Sequence, residues 1–387
     1  MSVSTSCKVR AAALLAAVLR GQFSPDQEIR ALGETCPGEF FRDVVEPLAD
    51  SFDPAQAAVY ERLMRVWIPP VPTVIPAIPA RVDILYVLSR VTLGADIKIV
   101  SPILAAMKQR FPGARVFFVS NRKSAELFAA DPHIVHWNAD YPRTGPVSAR
   151  LQFAHELRAK LQTENCIVVD PDSRMTQLGL IPVCNPAHYF HFPSRTAGGD
   201  GPANLADLLA RWLHQNFGLT ASAWIAPRVE PISGAVPRAA ISLGVGDNES
   251  KRVGGDFEAR LIAALGARYA TVWVDRGVGG EEARRVTAAV ASSGAGNRVR
   301  FWEGGFAGFA SIISQCDLYV GYDSAGQHAA AASGVPVISI FAGAPSERFR
   351  SRWLASGSGD ILSIAADGLA PDAILAAVKL KTEGRVQ

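Results

Sequence analysis

What most limits the fold of this chain is a pattern of alternating strand-like and helix-like segments that runs through it twice. From Val82, "VDILYVL", "ARVFFVS", "HIVHW" and "CIVVD" are short apolar runs of buried-strand type. Between them "IKIVSPILAAMKQRF", "KSAELFAA" and "VSARLQFAHELRAKLQ" carry helical spacing. The pattern restarts after Pro237 with "AAISLGVG", "ATVWVD", "RVRFWEG", "LYVGYD", "PVISIFAG" and "ILSIAA", again separated by helical stretches and closed by "PDAILAAVKLK". Strands that alternate with helices at this spacing make parallel sheets covered on both faces. The expected fold class is α/β, with two Rossmann-like parallel-sheet domains in tandem. Ligands of open parallel sheets sit beyond the carboxyl ends of the strands, so the site is expected in a cleft between the domains.

The first 66 residues read as helical, in stretches such as "AAALLAAVLRG" and "PAQAAVYERLMRVW". The prolines of "IPPVPTVIPAIPA" (68–80) then forbid both helix and central strand. The expected organisation is a helical appendage with its linker over 1–80, one sheet domain over 81–225 and a second over 238–387, joined by the proline-rich "APRVEPISGAVPR". A length of 387 residues with 49% apolar and 19% charged composition is enough for two cores of ordinary size.

The net charge of +3 gives no ground for a nucleic-acid partner or an anionic lipid surface. Cys7, Cys36, Cys166, Cys184 and Cys316 are odd in number, scattered and without a CxxC. They argue for a reducing compartment and against a disulfide frame, a structural zinc or a nucleophilic thiol. The apolar run Ala11–Leu19 is cut off by Arg20 and reads as a short helix rather than a cleaved leader. A cytoplasmic protein is expected.

The chemistry-bearing stretch is "LYVGYDSAGQHAAAASGVPVISIFAG". Asp323 ends a strand, Ser324 opens a helix, and the unpaired N–H groups and positive dipole at a helix start suit a phosphate. A plainer reading stands beside this one. Ser324 with Gln327 fits a capping box, and Asp323 then merely complements the dipole. His328, four residues after Ser324 on the same helix face, has no use in a cap and favours a functional site.

This stretch resembles the donor-site signature of glycosyltransferase family nine, the heptosyltransferases of lipopolysaccharide synthesis. Asp323, Ser324 and His328 match at the right spacing, whereas Ala325 stands in the glycine position and the glycine is displaced to Gly326. "ISLGVGDNESKR" is similar to the family's strand, glycine loop and basic residue. "YVLSRVTLGADIKIV" is similar to its opening Gly-Asp segment, with one residue inserted in Gly94-Ala95-Asp96. The resemblance covers roughly 82–380 and implies a GT-B fold, with the nucleotide-sugar donor in the C-terminal domain and the acceptor in the N-terminal one. It implies Asp96 as catalytic base with Gly94 beside it. It also implies Lys251 or Arg252 at the donor diphosphate, Gly246 in the donor loop, and the helix start at Ser324, Ala325 and Gly326 with Asp323 and His328 at sugar or phosphate. The reaction would be inverting transfer to a hydroxyl of a glycan, with no cofactor or metal, and peripheral membrane contact would come only through the acceptor, at the inner face of the cytoplasmic membrane.

Glu282 belongs with this set because family members often carry a donor-contacting glutamate there. By residue pattern alone, Glu281 and Glu282 are first-turn helix charges. In "CIVVDPDSRMTQLGLIP", Asp170 is expected to end a strand and Asp172 or Ser173 to cap the next turn, which points Arg174 and Gln177 toward an acceptor. His188 and His191 of "HYFHF" lack a third ligand, so an aromatic patch is the better reading than a metal site. A nucleotide-sugar epimerase and a catalytically silent nucleotide-sugar or glycan-binding protein are the alternative functions. The one-residue shift at Asp96 is the best support for the silent reading.

Overall fold

The computed structural model describes residues 3–383 except 200, 247 and 278. The chain folds into two compact units. The first comprises Met1–Val91, Ala106–Asn121 and His133–Thr220, and the second Thr92–Ala105, Arg122–Pro132 and Ala221–Gln387.

In the first unit β1 (Ile84–Leu88), β2 (Arg115–Ser120), β3 (Ile134–Asn138), β4 (Cys166–Asp170) and β5 (Tyr189–His191) form one parallel sheet in the order β3-β2-β1-β4-β5. Every residue of β4 is buried, as are all but the first of β1, which is why these runs are continuously apolar rather than alternating. At the edge, β3 exposes most of its residues. β5 is the strand that the sequence conceals, since three residues of "HYFHF" are too few to show a period.

The N-terminal helices are not a free appendage. Cys7, Leu14, Ile29, Phe40, Val44, Leu48, Tyr60 and Leu63 pack into one core with Val147, Ala154, Leu178 and Ile181 of the sheet region. The proline-rich connector is pinned as well, with Ala77 N donating to Ala187 O at 2.8 Å. Cys7 and Cys36 form a disulfide, their Cα atoms 5.7 Å apart. This corrects the expectation of free thiols and removes the cysteine argument for a reducing compartment. The helices Val3–Leu19 and Asp26–Thr35 bring together two positions that are 29 residues apart, which the spacing alone does not reveal. Cys166, Cys184 and Cys316 are free and buried.

The second unit holds β6 (Arg238–Ser242), β7 (Thr271–Asp275), β8 (Val299–Trp302), β9 (Leu318–Tyr322), β10 (Val337–Phe341) and β11 (Ile361–Ala365) in the order β11-β10-β9-β6-β7-β8, all parallel. From β6 the chain winds outward through β7 and β8, then crosses back to β9 and winds the other way. The sheet therefore reverses direction between β6 and β9, and the loops leaving those two strands must diverge to open a crevice. The core beneath is built from Ile241, Leu261, Val274, Val320, Ile338, Ile340 and their neighbours. Among the described residues no helix is long and apolar enough to cross a membrane.

Segment 92–105, although it follows β1, belongs to the second unit, as does 122–132. The backbone of Gly94 lies against the helix Ala325–Ala332: a Cβ built there would sit 3.3 Å from His328 Cδ2 and 3.5 Å from Ala325 Cα. Lys98, 1% exposed, completes the attachment by donating to Leu354 O at 2.7 Å and Ser356 Oγ at 3.2 Å.

Candidate active site

The crevice between β6 and β9 is where the sequence-predicted residues of the second unit converge. β6 leads into the loop containing Gly246, which adopts φ +62°, and then into the short turn Glu249–Lys251. β9 leads into Asp323, followed by Ser324 in extended conformation and the helix Ala325–Ala332. Lys251 Nζ donates to Asp323 Oδ2 at 2.7 Å, with the two side chains 20% and 10% exposed. The other carboxylate oxygen, Oδ1, accepts from Gln327 Nε2 at 2.7 Å, and Gln327 Oε1 in turn accepts from Ser339 Oγ at 2.7 Å.

The capping-box reading of Ser324 and Gln327 is thereby corrected. Ser324 makes no side-chain cap bond, and Gln327 is spent on Asp323 and Ser339. The first N–H groups of the helix, at Ala325 and Gly326, have no side-chain cap to satisfy them. An ammonium carries three donors, so Lys251 can hold Asp323 and still meet an anion. Asp323 thus acts as the fixed counter-charge that aims Lys251.

Gly326 has a steric reason of its own. A Cβ at that position would come within 2.1 Å of the Tyr319 hydroxyl, which lies under the first turn of the helix beside Ser324 Oγ. The aromatic on β9 explains why glycine stands at 326. At 325, where the family places it, alanine is accommodated.

His328 is 4% exposed, between the Gly94 backbone and Trp353. Desolvation first, then the charges of Lys98 and Lys251, hold its pKa well below the ordinary imidazole range. It is a neutral imidazole at pH 7, able to donate from one nitrogen and accept at the other. Asp96 lies in the same segment as Gly94 and is wholly buried.

Two further cations and acids separate cleanly. Arg252 is taken up by Glu249 at 2.7 Å and Glu258 at 3.1 Å, which leaves Lys251 as the better-placed cation of the adjacent pair. Glu282 opens the helix Gly280–Ser293, but its carboxylate turns back onto the loops after β6 and β7. Its Oε1 stands 2.7 Å and 2.8 Å from Cβ positions built on Gly244 and Gly277. Burial first, then the nearby Asp275, raises its pKa. Sequence reasoning did not find Lys98, Ser339 and Tyr319, because a buried lysine or a strand serine has no local signature.

The first-unit candidates are engaged internally. Arg174, 12% exposed, bonds Asp50 at 2.7 Å and faces Glu46 at 3.8 Å, tying the N-terminal helices to the sheet. Gln177, in a left-handed conformation, donates to Tyr141 Oη and to Arg174 O, each at 3.1 Å. Ser173 caps the turn Arg174–Thr176, as expected. Asp172 does not. It is 0% exposed and accepts from His191, Ser194 and Arg195, a buried ion cluster rather than a helix cap.

The family model described as Glycosyltransferase family 9 (heptosyltransferase) matches residues 303–359, the stretch that contains β9, Asp323, His328 and β10. The match is to glycosyltransferase family 9. Solved structures agree in fold. A family 9 glycosyl transferase from Veillonella parvula aligns at 16% identity over 78% of this chain and 90% of its own, with a TM-score of 0.54. Heptosyltransferase II of E. coli aligns at 15% identity over 78% of this chain and 99% of its own, with a TM-score of 0.53. E. coli heptosyltransferase WaaC, solved with ADP-2-deoxy-2-fluoro heptose, gives 14%, 78%, 99% and 0.56. The two parallel sheets are thus those of a GT-B fold, and the family resemblance read from the sequence holds. None of the curated proteins matches this chain.

Proposed function

We propose that this GT-B chain is an inverting, metal-independent glycosyltransferase, moving a sugar of heptose or similar type from a nucleotide diphosphate donor to a hydroxyl of a glycan. The observation that carries the reading is Lys251 fixed on Asp323 at the β6/β9 crevice, next to a helix start inside the segment that matches family 9. The ADP-sugar held by WaaC, whose fold this chain shares, supports a nucleotide-sugar donor.

Three tasks are divided among the residues. Lys251 and the N–H groups of Ala325 and Gly326 stabilise the diphosphate as charge builds on the departing oxygen. Neutral His328 orients the sugar or the phosphate by hydrogen bonding. Asp96 takes the proton of the acceptor hydroxyl as its oxygen bonds the anomeric carbon from the face opposite the leaving diphosphate, which inverts that centre. With an ammonium and a helix start at the diphosphate, no divalent ion is required.

The wholly buried Asp96 sets a condition, since it must be uncovered before it can meet an acceptor. The same observation supports the alternative of a protein that binds nucleotide-sugar without turning it over. Incubation with ADP- and UDP-sugars separates the readings. Slow hydrolysis with inversion, or transfer to a supplied glycan, is expected. Binding without any turnover favours the silent protein, and interconversion of the sugar an epimerase. Asp96→Asn should lower turnover by roughly 10²–10⁴-fold while leaving nucleotide affinity unchanged. Undiminished turnover in that variant removes Asp96 from the mechanism.

A further inference from the structure

The segment that carries Asp96 is fastened to the second unit at several points, and one of the fastenings is a buried ammonium. Asp96–Val100 form a π-helical turn in which every residue is buried. Such turns are rare and are found mostly at functional sites. The neighbours of Lys98 in "DIKIVSPIL" are isoleucines and a valine, so an aliphatic side chain would fill its place without burying a charge. A lysine that is 1% exposed there needs oxygen partners instead.

It finds them at the end of the helix Glu347–Trp353. Lys98 Nζ donates at 2.7 Å to the carbonyl of Leu354, the residue that closes that helix, and at 3.2 Å to Ser356 Oγ. A cation suits this place, because the last carbonyls of a helix lack intrahelical donors. The contacts then close on themselves. Trp353, next to Leu354, packs on His328 with ring centroids 5.9 Å apart, and His328 lies against Gly94, two residues before Asp96. Lys98 comes two residues after Asp96. Burial first, then the Lys98 charge, lowers the His328 pKa, so the ammonium is within electrostatic reach of that imidazole. Farther along, wholly buried Ser101 accepts from Trp224 N at 3.0 Å through Oγ and from Trp224 Nε1 at 2.7 Å through its carbonyl. Asp96 thus sits between two anchor points, and Lys98 links it to the group that packs on His328.

We infer that Lys98 is a positioning residue: by gripping residues 354–356 it fixes Asp96 in one place relative to His328, so that the proposed base is carried by the donor-binding unit. The task of Asp96 as base rests on the transfer reading, whereas the grip does not. A displacement of about 1 Å at a reacting group can cost about 10²-fold in rate, which is a reason to keep a buried charge at position 98.

Hydrogen exchange, titration with ADP and UDP, and turnover of ADP- and UDP-sugars test this on the full chain with Lys98→Met, Ser356→Ala and the pair. Lys98→Met should speed amide exchange over 93–101 about tenfold or more and lower turnover about 10–100-fold. Affinity for the nucleoside diphosphate should stay within about twofold of the wild type, because Lys251 and Asp323 are untouched. Ser356→Ala, the milder change, should lower turnover less, and the pair should be no worse than Lys98→Met alone, since both remove one contact. Undiminished turnover in Lys98→Met overturns the inference. So does an equal loss of affinity and turnover with faster exchange across the whole second unit, which would make Lys98 a general structural support. If the wild type consumes no nucleotide-sugar, the transfer reading fails, and exchange over 93–101 decides the grip alone: faster in both single variants supports it, unchanged overturns it.

Discussion

Two carboxylates lie in corresponding loops of the two units and have opposite fates. Asp172 follows β4 next to β1, and Asp323 follows β9 next to β6, each beyond the carboxyl end of a strand where its sheet reverses direction. Asp172 is fully enclosed. His191, Ser194 and Arg195 donate to it, Arg195 from its backbone N–H as well as its side chain, and burial opposes the charge while Arg195, His191 and Arg90 push its pKa far below the ordinary range. Asp323 has a lysine that is 20% exposed and a glutamine, and that lysine keeps donors free. The corresponding loop in the same type of fold thus serves as a closed structural joint in one unit and as the open end of a binding crevice in the other. What separates them is how many of the cation's donors the protein has already used.

Breaking each joint should show the contrast directly. The largest effect is expected from Asp172→Ala, which leaves Arg195 and His191 buried without a counter-charge and should cost about 3–5 kcal/mol in chemical denaturation. A loss under 1 kcal/mol would mean that the cluster is solvated and not closed. Lys251→Ala should leave stability nearly unchanged but weaken nucleoside diphosphate binding by about 10–100-fold, the worth of a charge-assisted hydrogen bond. Equal affinity in a titration would make Lys251 as structural as Arg195. Gly326→Ala forces a methyl onto the Tyr319 hydroxyl and should cost about 1–3 kcal/mol of thermal stability. The pair Gly326→Ala with Tyr319→Phe should recover part of that loss.

The smallest effect is in pH dependence. His191 has a raised folded pKa, so its contribution is fully present below the unfolded value of about 6.5 and fades as pH rises through the folded one. The stability gap between the wild type and His191→Gln should therefore narrow on going from pH 6 to alkaline pH. His328, with its pKa depressed, should behave in the opposite sense, with His328→Gln gaining on the wild type as pH falls below about 6.5. Parallel curves for either variant would remove that group from the titration.

Much of the architecture was legible in the chain. Ten of the eleven strands lie in runs read from the chain, and the unbroken apolar character of central ones such as "CIVVD" and "LYVGYD" follows from burial on both faces. The eleventh, Tyr189–His191, is too short to carry a period. The helix Leu205–Phe217 also escaped, although Asn204 caps it and Gly218 ends it in a left-handed conformation, signals that could have been found. The Asp323–His328 stretch was legible because its spacing is local. The partners of Arg174 and Gln177, Asp50 and Tyr141, were not legible because they lie far away in sequence.

Local order fixed the strands, the helices and the identity of the Asp–Ser–His segment, since hydrophobic period and backbone chemistry act over a few residues. Only the folded chain decided that Cys7 meets Cys36, that segment 92–105 joins the second unit, and that Lys251 rather than Arg252 keeps donors to spare. Each of those outcomes depends on which side chains become neighbours after the sheets close, and pairing between distant residues leaves no trace in the spacing of either one.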